Sequence, residues 1–497
     1  MKLRKITAVL LGLSLLLTGC GRADNHKDDI QVPTDSFSSQ EPGAEPIITQ
    51  TAVPEPVETS PAAIAAETTV PTEEEIYTTE QPVQNSYQNN GYDNSNQQEQ
   101  PQQSYNATEH YNDQPAVTTA TYTPSANRTT VKTTTVRRTT AAVTTTTKAT
   151  PRNVLKKMTL KQKVCQMFMV TPEAITGISP MTEVGNGTKN AMADYPVGGI
   201  IYFSQNLRSQ NQIKTMISNT QGFSREACGV GLFTAVDEEG GKVARCAQNI
   251  GTTAFMPMEY YGNENNYKTA YDIGTTLGKD LSSLGFNVDF APVADVNINN
   301  GNELGDRIFS SDPNVVANMI CGVSKGLQDN GVSATLKHYP GLGAESGNTH
   351  TNSFVVLDRT MEQLRKTEFV PFKKGIESGT DFIMVGHQSV TGFGDNLPSD
   401  LSYKAITEIL RGELKFKGIA ITDAQQMHTI SDVYTSGEAA KLSINAGMDI
   451  ILMPVDYRAA IDYVCKAVEN GEITESRIDE SVLRILEKKE KLGLLKK

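Results

Sequence analysis

Short apolar runs recur through the last two-thirds of the chain, and each is followed by a stretch with helical spacing. The runs are Gln166-Met167-Phe168-Met169-Val170, Gly199-Ile200-Ile201-Tyr202-Phe203, Gly231 to Val236, Val288 to Val293, Val332 to Leu336, Phe382 to Val385, Gly418 to Thr422 and Ile450 to Met453. They are continuous rather than alternating, as expected of strands buried on both faces of a parallel sheet. Eight strand–helix units over 151–497 predict an α/β fold, a single (β/α)8 barrel of the TIM type with generous loops.

The first 150 residues read differently. Lys2, Arg4 and Lys5 precede an apolar core, Ile6 to Leu17, too short to span a bilayer as a mature helix. Leu17-Thr18-Gly19-Cys20 resembles a bacterial lipobox, which implies a signal peptide over 1–19, cleavage before Cys20 and lipidation of its thiol. The expected location is the outer face of a bacterial cell membrane. Residues 20–150 are rich in Thr, Ser, Pro, Gln and Asn and have no apolar periodicity. Such a segment cannot bury enough surface to offset the entropy of ordering, so it is expected to be a disordered tether.

The formal net charge is -12 and the barrel region carries no basic stripe, which argues against a nucleic-acid partner. Besides Cys20 the cysteines are Cys165, Cys228, Cys246, Cys321 and Cys465. None forms a CxxC pair and the number is odd, so neither a disulfide framework nor a cysteine zinc site is expected.

The ends of the runs carry chemistry. Asp237 follows the third, Asp295 the fourth, Lys337-His338 the fifth, His387 the sixth and Asp423 the seventh. In a barrel these ends converge on one mouth. Of six histidines, His338, His350, His387 and His428 all fall at or just beyond such ends. There is no GxSxG, P-loop or HExxH. Two chemistries remain: a metal held by Asp237, His338, His387 and Asp423, or a carboxylate nucleophile opposed by a proton donor, the logic of retaining glycosidases. Asp423 ends a very apolar strand, and His350 sits on the irregular loop after Pro340-Gly341-Leu342-Gly343.

From Met158 to the C-terminal helix the sequence resembles glycoside hydrolase family 3, in its bacterial β-N-acetylglucosaminidase branch. The resemblance is carried by Asp237-Glu238-Glu239-Gly240-Gly241-Lys242-Val243-Ala244-Arg245, Asn287 to Val296, Gly305 to Pro313, Lys337 to Gly343 and Ile421-Thr422-Asp423-Ala424. It implies Asp423 as the nucleophile and His350 as the acid/base. It further implies Asp237, Arg245, Arg307, Lys337, His338 and His387 as contacts to the nonreducing-end sugar. No metal or organic cofactor is implied. The implied activity is exo-acting hydrolysis of terminal N-acetylhexosamine from cell-wall-derived or chitin-like oligosaccharides; the sequence leaves the oligomeric state open, with a monomer favoured.

One position departs from the family, whose loop usually reads Asp-Ser/Thr-His. Asn348 stands where that Asp orients and charges the histidine. An amide still accepts an imidazole N–H but brings no negative charge, and Glu345, three residues upstream, is the local substitute to consider. A β-glucosidase, a phosphorylase and a noncatalytic sugar-binding lipoprotein are the rival readings. Family β-glucosidases usually take a carboxylate acid/base from a second domain, for which the chain after the barrel leaves no room.

Overall fold

The computed structural model describes residues 149–345, 352 and 354–495. The expected signal peptide, Cys20 and nearly all of the tether lie outside the described residues, as do Asn348 and His350. The described residues belong to one of two units of the chain, Val131–Lys497.

Among the described residues eight parallel strands close into a barrel. They are β1 (Phe168–Val170), β2 (Gly199–Ile201), β3 (Phe233–Val236), β4 (Val288–Asp289), β5 (Ser333–Tyr339), β6 (Phe382–Val385), β7 (Ile419–Ala424) and β8 (Ile450–Leu452). Each pairs with the next in sequence, and β8 returns to β1 with Phe168 opposite Ile451 and Met169 opposite Leu452. The expected (β/α)8 barrel is therefore the fold. β1, β2, β3, β4, β5, β6 and β8 are buried at every position, which is why their sequences read as unbroken apolar runs.

The boundaries moved where side chains override the pattern. The fourth run was expected to be a strand through Val293 but pairs regularly only at Val288–Asp289. Pro292 follows a cis peptide and lacks an N–H for the ladder. Val293 then makes an isolated bridge to Lys337. The fifth strand runs on through Lys337 and His338 to Tyr339, with a register shift between Leu336 and Tyr339. The basic pair thus lies within the strand's last residues, not beyond it.

The principal outer helices are α1 (Asn186–Asp194), α2 (Gln210–Cys228), α3 (Tyr267–Leu284), α4 (Pro313–Asp329), α5 (Phe369–Glu377), α6 (Lys404–Glu413), α7 (Ser436–Ala446), α8 (Tyr457–Glu469) and α9 (Glu475–Lys491). Local chemistry sets several starts: Asn266 caps α3, Asp312 caps α4 ahead of Pro313, and Thr435 with Glu438 forms a capping box on α7. α3 and α4 pack so closely that a Cβ on Gly274 would sit 2.1 Å from the Val323 carbonyl oxygen. A side chain there would force the helices apart and shift the short β4 they flank. The five domain cysteines are free thiols. No helix among the described residues is long and apolar enough to cross a membrane.

The barrel interior is packed by side chains such as Phe233 and Phe382, edge to face at 5.3 Å. Lys489 of α9 enters the same packing from outside the sheet. It is fully buried, donates to Gln166 Oε1 at 2.7 Å and to the Gly198 carbonyl at 2.8 Å, and lies 5.0 Å from the Phe233 ring centroid. Burial lowers its amine to about 7. Two acceptors suit a neutral amine, which has two N–H donors. The folded value lies below the unfolded value of 10.5, so between these the unfolded chain holds the extra proton and stability rises with pH. Wild type is expected to gain on Lys489→Met by as much as about 1.4 kcal/mol per pH unit from pH 7 upward, read as diverging denaturant midpoints. A gap that does not change with pH would show that Lys489 keeps one protonation state.

Candidate active site

The C-terminal strand ends open into a cleft of about 270 Å³, whose walls include Asp237, Arg245, Arg307, Lys337, His338 and Asp423. Six of the expected site residues thus meet in one place. Phe290, Met384 and Leu452 add apolar walls from the barrel strands and the segments that follow them.

Three charges form its framework. Glu239 is buried and accepts from Arg307 twice, Nε to Oε2 at 2.7 Å and a terminal nitrogen to Oε1 at 2.8 Å. The same Oε1 lies 2.6 Å from Lys337 Nζ, which also donates to Asp237 Oδ1 at 3.0 Å. Burial alone would raise Glu239, but Lys337 and Arg307 outweigh it and hold the carboxyl at about 2. Burial likewise opposes the charge of Lys337 and of Arg307, and the surrounding carboxylates raise both. Each partner comes from a different segment. Glu239 lies in a small hairpin, Glu238–Gly240 with Val243–Ala244, that directly follows Asp237. Arg307 comes from the single turn Gly305–Arg307, and Lys337 from β5.

Asp295 fixes the next residue. Its Oδ2 accepts both the His338 backbone N–H at 3.0 Å and His338 Nδ1 at 2.8 Å, while Oδ1 accepts the Leu342 N–H at 2.6 Å. With Nδ1 committed to the carboxylate, Nε2 is the nitrogen left to meet a ligand. Gly343 then passes so close to Val296 that a Cβ would lie 1.7 Å from its carbonyl oxygen. The Gly343 carbonyl accepts N–H bonds from Ile298 and Asn299 at 3.0 and 2.8 Å. On the far side of the His350 loop, the Asn352 carbonyl accepts from Thr429 Oγ1 at 2.7 Å. Both flanks of that loop are therefore tied to segments that leave the barrel mouth, one after β4 and one after β7.

Asp423 is in the last turn of β7, where its Oδ1 accepts the Ala424 N–H at 2.7 Å. The histidines divide. His338 lines the cleft; His428 is exposed and pairs with Asp432 at 3.0 Å on its own helix. His387 is fully buried and is not among the residues lining the cleft. Its Nε2 donates to the Ala424 carbonyl at 3.1 Å and its Nδ1 lies 3.0 Å from Asp400. Burial opposes its charge, but Asp400, with Asp423 and the Ala424 carbonyl adding, raises it to about 9. The expected sugar contact is thus a cation behind Asp423. Among the described residues no group of three or more His, Cys, Asp or Glu is arranged to hold a metal ion. Glu239 was missed as a separate functional residue, and the only sequence signal was a third acid in Asp237-Glu238-Glu239.

A small cleft with fixed charges and a strand-end carboxylate, at the mouth of a (β/α)8 barrel, suits a polyhydroxylated ligand. Residues 159–488 match the glycosyl hydrolase family 3 N-terminal domain, and the chain belongs to that family. It is 31% identical over 339 residues to β-hexosaminidase A of Pseudoalteromonas piscicida, covering 63% of this chain and 56% of that protein. It is 30% identical over 350 residues to β-hexosaminidase LpqI of Mycobacterium tuberculosis, covering 68% and 84% of the two chains. A solved family 3 β-N-acetylglucosaminidase from Paenibacillus sp. str. FPU-7 superposes with a TM-score of 0.64 at 34% identity, covering 68% of this chain and 63% of that one. The chain thus spans less than two-thirds of the Pseudoalteromonas and Paenibacillus relatives.

Removing the charge of Glu239 while keeping its shape leaves two buried cations without their common anion. Glu239→Gln is expected to lose about 3 kcal/mol of stability, measured by urea unfolding. The folded pKa is depressed, so this contribution is present above the unfolded value of 4.5 and lost as pH falls through about 2. A variant within 1 kcal/mol of wild type at pH 7, an estimate near the value of a single exposed pair, would show that solvent already replaces the pair.

Proposed function

We propose that this chain is a retaining, exo-acting β-N-acetylglucosaminidase that releases terminal nonreducing N-acetylhexosamine from cell-wall-derived or chitin-like oligosaccharides. The observation that carries the reading is that Asp423 lines the same cleft as Asp237, Arg245, Arg307, Lys337 and His338. The names of the hexosaminidase relatives support the sugar.

In the proposed reaction an Asp423 oxygen attacks the anomeric carbon as the glycosidic C–O bond breaks, and His350 gives its proton to the leaving oxygen. His350 then takes a proton from water, whose oxygen displaces Asp423 and frees the sugar. Asp237, Lys337, Arg245, Arg307 and His338 supply hydrogen bonds to hydroxyls and the N-acetyl group, and charged partners make these the stronger kind. The protonated His387 behind the β7 end favours an ionised Asp423, as a nucleophile requires. Asn348 would orient His350 without charging it. No metal or organic cofactor enters these steps, because nucleophile and proton donor are both side chains.

We further propose that residues 1–19 are a lipoprotein signal and that lipidated Cys20 anchors the chain outside the cell, with 20–150 as tether. Cys20→Ser should then move the protein from the membrane to the soluble fraction with its specific activity unchanged; a variant that stays with membranes removes the anchor from Cys20.

The catalytic reading is tested with chromogenic β-glycosides of N-acetylglucosamine and glucose, with and without phosphate. Release from the N-acetylglucosamine substrate, indifferent to phosphate, is the expected result; a requirement for phosphate would make the protein a phosphorylase. Asp423→Ala should fold and lose at least about 10³-fold in kcat, as loss of a nucleophile does. A 2-fluoro glycoside should label wild type at Asp423. Labelling elsewhere would remove the nucleophile's role from this residue.

A further inference from the structure

Between Asp237 and Glu239, the hairpin's first residue holds a third carboxylate, which is not among the groups lining the cleft. Glu238 is buried; its Oε2 accepts the Cys246 N–H at 2.6 Å and its Oε1 the Ala247 N–H at 2.9 Å. Its own N–H donates to Asp289 Oδ1 at 3.0 Å, which ties it to β4. The two amides belong to the short helix Arg245–Ile250, whose preceding residue, Ala244, offers no side-chain cap. Glu238 does from a distance what a capping side chain would do.

Arg245 is the first residue of that helix, and its side chain is weakly held among the described residues. The guanidinium is 3.9 Å from Asp237 Oδ2 and 5.8 Å from the Phe203 ring centroid, and its Nε is buried without a hydrogen-bond partner. How far the guanidinium reaches into the cleft therefore depends on where its backbone sits, and the following two amides hold that backbone. We propose that Glu238 is a positioning residue for Arg245: its ionised carboxylate, by holding the Cys246 and Ala247 amides, seats the guanidinium in the cleft and tunes sugar affinity with pH.

The groups facing Glu238 define its titration. Burial raises it to about 7, while the two amide bonds and Arg245 restrain the rise. Burial pushes Asp289 well above its ordinary value, with the Glu238 and Asp237 carboxylates adding and the Glu238 N–H and Lys337 opposing. Burial, with Glu238, Asp289 and Asp280 adding, raises the Cys246 thiol, which stays neutral. Glu238, at about 7, changes charge near neutral pH. Its protonated form has one carbonyl acceptor and one hydroxyl facing the two amides, so one hydrogen bond is lost. Folding draws the proton the other way. The folded value exceeds the unfolded 4.5, so this group's contribution falls as pH rises from 4.5 to 7.

The proposal rests on the N-acetylglucosaminidase reading only for Arg245 as a sugar contact, and the test separates the two. The full chain, labelled with 15N-cysteine, is titrated from pH 5.5 to 8.5, alongside KM and kcat on a chromogenic N-acetylglucosamine β-glycoside. The Cys246 amide, identified by its loss in Cys246→Ser, should shift with a midpoint near 7 in wild type and not in Glu238→Gln. Wild-type KM should rise about tenfold from pH 8 to pH 6, the equivalent of one lost charged hydrogen bond, while kcat changes less. Glu238→Gln, which offers one acceptor and one donor, should show the high KM already at pH 8 and keep it across the range. A flat wild-type KM, a Cys246 shift that persists in Glu238→Gln, or a variant with wild-type KM at pH 8 would each overturn the proposal. If the variant does not fold, the wild-type titration and KM profile alone decide it. A titrating amide in a chain that cleaves no such glycoside would reject the substrate reading and leave the Glu238 contact with the helix standing.

Discussion

Three charged side chains sit together largely out of water at the mouth of the barrel, and each is tolerable there only because of the others. Glu239 holds Arg307 through both carboxylate oxygens and Lys337 through one. An unpaired charge so buried would cost several kcal/mol, and a pair with poor geometry would return little of it. Satisfying all three requires the hairpin after β3, the loop after β4 and the end of β5 to sit in one arrangement. That requirement shapes the cleft wall as much as the apolar packing beneath it does.

The barrel supplies the rest of the positioning. Parallel strands bring all their C-terminal ends to one rim, so groups far apart in sequence, such as Asp237 and Lys337, come within 3.0 Å. The loops above the rim are tied by backbone bonds rather than by packing alone. Asp295 collects three N–H donors from the strand end and loop that follow β5. The flanks of 346–351 are held by segments following β4 and β7.

Several ionisable groups are buried around the site and the barrel, and they do different things. Glu239 and His387 are stabilised in their charged forms by partners of opposite sign. Lys489 and Asp289 are driven toward neutrality by burial. The sign of each shift follows from whether a full countercharge or only dipoles face the group. Sequence position is silent on this, since Glu238 and Glu239 are neighbours and shift in opposite directions.

The barrel was legible in the sequence because strands buried on both faces must be apolar throughout, and eight such runs separated by helical patterns leave few folds open. The strand-end rule also placed Asp237, Lys337, His338 and Asp423 at one mouth, the family resemblance added Arg245 and Arg307, and the cleft contains all six. What the sequence could not decide is which way a strand-end side chain turns. His387 and His338 occupy equivalent positions after apolar runs, yet His338 faces the cleft and His387 faces inward to Asp400 and Ala424. Nor could it show that Glu239 clamps two cations while Glu238 faces a helix. Alternation along the hairpin and the reach of Lys337 and of Arg307, the latter 68 residues away in sequence, decide that. Composition and periodicity determine burial, because burial depends on polarity summed along a segment. Partner choice depends on the direction of single bonds between distant segments, and only the closed barrel fixes those.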